Sequence, residues 1–292
     1  MNRADTQALV ALPIILAIGA AVAFAGSDGS VEVAGQPAFL WCAVLAFGIN
    51  WIVFVPSYLA RTERFYDLTG SLTYLATVGF AVFAAGDPSP RSLLLGGLIA
   101  IWAARLGTFL FRRVSRAGED RRFREIKQSI PRFLMAWTLQ GLWVLLGAGC
   151  ALVAMTSAKQ VPLGVFAWVG TAIWIFGFVV EAVADAQKTA FNTDPETRGK
   201  FIDRGLWSWS RHPNYFGEIV LWFGIAVIAF PVLQGWQYAL LISPVFVFVL
   251  LTRISGVPML EARGRKKFGH LEEYQNYVKR TPALWPRPPQ RS

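Results

Sequence analysis

Gly205-Leu-Trp-Ser-Trp-Ser-Arg-His-Pro-Asn-Tyr-Phe-Gly-Glu218 is the stretch on which the reading of this chain turns. It is crowded with polar and aromatic residues and runs directly into the apolar segment Ile219–Phe230. Proline has no amide hydrogen, and the first turn of a helix would leave that hydrogen unpaired anyway, so Pro213 marks a helix start. Arg211, His212 and Asn214 then gather at a helix N-terminus, where free N–H groups and a partial positive charge suit an anionic ligand. Trp207 and Trp209 fit an aromatic belt at a membrane boundary. The motif therefore predicts one wall of a cofactor site at a membrane face.

The rest of the composition agrees with a membrane setting. The chain of 292 residues is 54% hydrophobic and only 16% charged, with a mean hydropathy of +0.44. Soluble domains carry about 25% charged residues. Twelve Trp and twenty-two Phe supply the aromatic load of helices in lipid. The formal net charge of +10 could suggest nucleic acid. However, the basic residues alternate with apolar spans instead of forming one face, which is the pattern of cytoplasmic loops, so no nucleic-acid partner is expected. Cys42 and Cys150 lie inside apolar runs without metal-ligand or CxxC spacing, and read as packing residues. The run Leu9–Ala25 has Asp5 in its short leading region and reads as a retained helix, not a cleaved signal.

About 20 apolar residues cross a hydrocarbon core as a helix. Eight segments qualify as candidates: Ala8–Ala25, Ala38–Leu59, Ser71–Ala85, Leu93–Phe111, Phe133–Thr156, Val165–Ala184, Tyr215–Phe230 and Tyr238–Thr252. The predicted class is an all-α, polytopic helical bundle forming a single domain over 1–292. The connecting loops alternate in character. Of the 28 Lys and Arg, all but Arg91 and Lys159 fall in the loops or span ends of one side, or in the N-terminus. That asymmetry predicts both termini in the cytoplasm and every chemistry-bearing loop on the cytoplasmic face.

Several residues on that face stand out. Arg105 and Arg112 are seven apart, hence on one helical face. Arg112 and Arg113 suit snorkelling anchors, whereas Arg105 lies about two turns deeper, where an unpaired charge is costly. Ser115–Phe123 reads as a solvated interfacial loop, with Arg121 and Arg122 as lesser candidates for phosphate contact. Glu181, Asp185 and Lys188, spaced four and three apart, share a helix face at the end of a span. Glu218 lies one turn beyond Asn214 on the same side of its helix. Arg253 ends the last span, Gly256 and Pro258 break it, and Glu261, Tyr274 and Arg280 follow in an amphipathic tail.

Together, Arg-His-Pro-Asn-Tyr-Phe-Gly-Glu (211–218), Thr-Arg-Ile-Ser-Gly-Val-Pro-Met-Leu-Glu (252–261) and the Tyr-x-x-Tyr-x-x-x-Thr-Pro tail (274–282) resemble the steroid 5α-reductase superfamily. The likeness is to its bacterial and plant branch and covers about 45–285. The resemblance implies a multi-pass enzyme, in a bacterial inner membrane, that uses NADPH to reduce a carbon–carbon double bond conjugated to a ketone. The substrate it implies is a steroid or other lipid, entering sideways from the bilayer. It makes Asn214 a cofactor contact, Asp185 a neighbour of the adenosine part and Arg253 a phosphate ligand. It also matches Arg105 to a basic residue that follows an aromatic. Lys188, Arg112, Arg204, Arg211, His212, Tyr215, Glu218, Glu261, Tyr274 and Arg280 complete the expected cofactor set. No GxGxxG follows a strand, so a Rossmann site is excluded.

The chain departs from the better-known steroid reductases, which pair a Gln-Glu with a later Tyr to hold the ketone. Its second span has no Gln-Glu. Arg64-Phe-Tyr-Asp67 is the nearest substitute, with Tyr66 as proton donor and Asp67 as its orienting or substrate-binding partner. A plain interfacial Tyr-Asp cap is the competing reading. The rival function is a membrane methyltransferase of the isoprenylcysteine or phospholipid kind. Those enzymes look similar over Arg-His-Pro-x-Tyr and a downstream Glu but bind S-adenosylmethionine. A non-catalytic lipid-binding protein would lack the cofactor residues, and here they are present.

Overall fold

The computed structural model describes residues 3–117 and 123–289, with only the backbone described for 112–117. The described residues form a chain of helices with one two-residue-per-strand hairpin. In order, these are α1 (Arg3–Ser27), β1 (Glu32–Val33), β2 (Gln36–Pro37), α2 (Ala38–Leu59), α3 (Tyr66–Phe83), α4 (Pro90–Ala117), α5 (Ile130–Gly147) and α6 (Gly149–Thr156). Then follow α7 (Val165–Thr193), α8 (Pro213–Ala229), α9 (Ile242–Val249), a π-helical turn at Leu250–Ile254, α10 (Gly256–Phe268) and α11 (Glu272–Arg280).

Among the described residues, six helical stretches are long and apolar enough to cross a membrane, or seven if α5 and α6, bent by 59°, form one span. All eight predicted segments are helical. The one that falls short of a span by composition is α3, whose buried face carries Thr69, Thr73 and Thr77. Asn50 of α2 donates to Thr73 Oγ1 at 3.3 Å, so this polar face is met by a polar partner. The bend between α5 and α6 has a local cause. The N–H of Cys150, released at the break, donates to Ser243 Oγ at 3.1 Å.

The chain forms two compact units, 1–167 with 228–243, and 168–227 with 244–292. In the first, α2 packs against α3 and α5, α1 against α5, and α3 against α4. Phe133 and Trp137 of α5 are fully buried, with Tyr66, Phe54 and Tyr58 packed around them. Asp5 pairs with Arg132 at 2.9 Å and Glu63 with Lys127 at 2.6 Å, tying the N-terminus and the α2–α3 connection to the segment before and at the start of α5. Arg91, one of the two cations outside the predicted basic side, is buried. Its guanidinium donates to the carbonyls of Ile228 at 2.5 Å and Pro162 at 3.0 Å. It is therefore a strut that satisfies main-chain acceptors at the end of a helix and in a loop.

In the second unit, α7 and α8 lie main chain to main chain. A Cβ on Gly177 would come within 2.5 Å of the Leu221 nitrogen, one on Gly217 within 2.5 Å of the Gly177 oxygen, and one on Gly224 within 2.6 Å of the Gly170 oxygen. Small residues permit this approach, which drives association where lipid supplies no hydrophobic force. The π-helical turn closes with Ser255 N donating to Leu250 O at 2.9 Å. Such single turns insert one extra residue and recur near functional sites.

Candidate functional site

Pro213 does begin α8, and the segment before it is pinned by the C-terminal tail. Arg211 N donates to Pro282 O at 2.9 Å and Arg287 N to Trp209 O at 3.0 Å, while Ser210 Oγ donates to Leu284 O at 2.8 Å. Before this, Gly205 adopts φ +62°, where a side chain would also collide with Gln187, and opens the 3-10 turn Gly205–Ser208. That turn seats Trp207, whose indole N–H donates to Ala184 O at 3.0 Å.

Arg211, His212 and Glu261 form the centre. Glu261 Oε1 accepts from Arg211 Nε at 2.9 Å and lies 3.0 Å from His212 Nε2. Arg211 also donates to the carbonyls of Val278 and Thr281 at the end of α11. Its guanidinium is thus largely committed to holding the tail. His212 is 5% exposed, and burial pushes its pKa below the ordinary 6.5; Glu261 opposes that shift, while Lys188 and Arg211 reinforce it. A carboxylate only accepts hydrogen bonds, so in the neutral imidazole the proton sits on Nε2 and Nδ1 is a bare acceptor. Nδ1 is buried and has no hydrogen-bond partner among the described residues.

Beside this centre is an open cleft of about 230 Å³. Lys188, Lys200 and Lys267 bring positive charge to it, and Phe201, Trp207, Phe268, Tyr274 and Tyr277 bring aromatic surface. Phe201 stacks on Tyr277 at 5.6 Å and meets Tyr274 edge-on at 5.1 Å. Tyr277 Oη donates to Trp207 O at 2.7 Å, and Lys188 Nζ lies 4.3 Å from the centre of the Trp207 ring. Burial raises the pKa of Tyr274 and of Tyr277, so both stay protonated at neutral pH.

Across the α7–α8 seam, Asn214 Nδ2 donates to Asp185 Oδ1 at 3.2 Å, and Asn214 Oδ1 is buried with no partner among the described residues. Tyr215 stacks on His212 at 5.7 Å, and Glu218 follows half-buried on α8. The second unit thus brings together Asp185, Lys188, Arg211, His212, Asn214, Tyr215, Glu261 and Tyr274. Arg204 lies exposed over the Phe191 ring, Arg280 forms an exposed 3.4 Å pair with Asp203, and Arg253 is exposed on the π-helical turn.

The remaining expected residues belong to the first unit. Tyr66 donates its hydroxyl to Ala136 O at 2.8 Å, its ring set against Phe123 and Trp137. Asp67 follows in the first turn of α3, and Arg105 is half-buried on α4, one turn past Trp102. The Arg112 side chain and all of Arg121 and Arg122 lie outside the described residues. Sequence reasoning missed Phe201, Phe268, Lys200 and Lys267, and placed Tyr277 only in the tail motif, without a part in the cleft. One signal was available: Leu260, Glu261, Gly264, Lys267 and Phe268 follow helical spacing, and all five line the cleft.

Comparison with known proteins completes the picture. Residues 53–281 match the family model described as a protein of unknown function, DUF1295. An uncharacterized protein of Schizosaccharomyces pombe is 26% identical over 222 residues, 66% of this chain and 63% of that protein. The 3-oxo-5-alpha-steroid 4-dehydrogenase 1 of Bos taurus is 32% identical over 111 residues, 38% of this chain and 37% of that enzyme. The chain thus aligns with less than two thirds of the length of either relative. No solved structure matches. The chain belongs to the DUF1295 family, within the steroid 5α-reductase superfamily.

Proposed function

We propose that this protein is a membrane-embedded, NADPH-dependent reductase of a carbon–carbon double bond conjugated to a ketone in a steroid or other lipid. The observation that carries this reading is the cleft of the second unit, which lysines and packed aromatic rings line together. Aromatic faces suit a purine and ammonium groups suit phosphates. The buried acceptors His212 Nδ1 and Asn214 Oδ1 call for donors, which amino and hydroxyl groups of a dinucleotide offer.

In this reading Lys188, Lys200 and Lys267 take the phosphates. Asp185 and Asn214 accept from hydroxyl groups, while Arg211 and Glu261 fix His212 in one tautomer. NADPH, when bound, supplies the hydride. Hydride addition to the β-carbon of an enone leaves negative charge on the ketone oxygen, which Tyr66 neutralises as proton donor with Asp67 orienting the substrate. The Tyr66 hydroxyl already bonds a carbonyl, so engaging a ketone exchanges one such acceptor for another.

Thermal unfolding of detergent-purified protein tests the cofactor. A ligand at a hundredfold its Kd stabilises by about 2.7 kcal/mol. NADPH is expected to raise Tm, NADH less. Stabilisation by S-adenosylmethionine alone would favour the methyltransferase and overturn the proposal.

A further inference from the structure

We propose that the outward stripe of α10 is a docking surface for anionic phospholipid headgroups. The inference is independent of the reductase reading. The inward residues of α10 line the cleft, and the opposite face carries Met259, Arg263 and Lys266 at positions i, i+4 and i+7; Arg265 lies around the helix between that stripe and the cleft, near enough to Tyr274 for its charge to act on it. All four are exposed. Met259 is 38% exposed, and Ile254, just before α10, is 61% exposed.

From Met259 to Lys266 this face of α10 therefore changes from apolar to cationic over about 10 Å, the rise of seven helical residues. That gradient matches the passage from hydrocarbon to headgroup layer, with long side chains able to snorkel toward phosphates. Among the described residues Arg263, Arg265 and Lys266 make no ion pair, so their charges stay available to a partner. The exposed carboxylates nearest in sequence, Glu272 and Glu273, sit in the first turn of α11, where they complement its dipole. A nucleic acid would use the cations but has no need of Ile254 and Met259. A leaflet uses both.

Each basic residue near an anionic surface strengthens the attraction to that surface roughly five-fold. The test reconstitutes the full chain in nanodiscs of mixed phosphatidylcholine and phosphatidylglycerol and measures the lipid ratio retained. The wild type is expected to enrich phosphatidylglycerol, and Arg263→Gln/Arg265→Gln/Lys266→Gln to return to the input ratio. Lysine at all three positions should keep the enrichment, and Tm in neutral detergent reports that each variant folds. Equal ratios for wild type and glutamine variant would overturn the proposal. So would displacement of the lipid by single-stranded RNA of matched charge, which would mark a general polyanion site.

Discussion

Asn214 donates to Asp185 across the contact of α8 with α7, at 3.2 Å, and its own amide oxygen is buried with no partner among the described residues. The amide thus satisfies the acid and keeps one acceptor in reserve. Asn214→Ala is expected to abolish the thermal shift given by NADPH, and unpairing the half-buried polar contact costs about 1–3 kcal/mol of stability. Asn214→Asp, setting two carboxylates against each other, should cost more. Normal NADPH stabilisation in both variants would place the site elsewhere.

The glycine contacts of α7 and α8 yield a second expectation. A methyl group on Gly217 meets main-chain atoms on α7 at 2.5 and 2.6 Å, and main chain cannot rotate away. Gly217→Ala should destabilise by about 1–3 kcal/mol or more, as overpacking does. In α2, a methyl group on Gly48 would meet nothing within 4 Å, so Gly48→Ala should be neutral or stabilising by up to about 1 kcal/mol. Paired thermal melts in one detergent compare them, and equal loss in both variants would refute the close contact.

Burial lowers the pKa of His212 below 6.5. The unfolded chain then binds a proton at a pH where the folded chain does not. The contribution of this histidine to stability is complete above pH 6.5 and is lost as pH falls through the folded-state value. His212→Gln, which cannot titrate, should show a flatter decline in Tm on acidification below pH 6.5 than the wild type. Parallel curves for the two proteins would count against a neutral buried imidazole.

Tyr66→Phe removes a hydroxyl bonded to Ala136 O and leaves the ring packed between Phe123 and Trp137. The fold should lose about 1 kcal/mol. The NADPH thermal shift should persist, while turnover of an enone lipid falls roughly a hundredfold or more, the scale of lost acid catalysis. Full turnover would eliminate Tyr66 as the proton donor.

Much of the fold was legible because apolar runs of membrane length leave few alternatives. The predicted Ala38–Leu59 coincides with α2. The apolar run stops at Ala184, where hydropathy drops, yet the helix face shared by Glu181, Asp185 and Lys188 implies that the helix runs on, and α7 continues to Thr193. The break around Gly256 and Pro258 was legible as an interruption. That it is a π-helical turn from which a helix restarts depends on main-chain pairing, which has no side-chain signature. The site divided the same way. Arg211 and His212 declare themselves beside Pro213, but the acceptors that commit Arg211 are carbonyls of Val278 and Thr281, invisible to residue type. Phe201 and Tyr277 meet only after folding and carry no mutual spacing.

The glycine seam also bears on how this family can change. Because α7 and α8 touch through their backbones, the distance from Asp185 to Asn214 is set by peptide geometry and is insulated from side-chain volume on the far side of the helix. The outward residues of α7, Val179 and Val183, are exposed and can exchange among apolar types without moving the pair. Substitution at those positions is free to follow the thickness and composition of the surrounding bilayer, while the polar pair keeps its spacing.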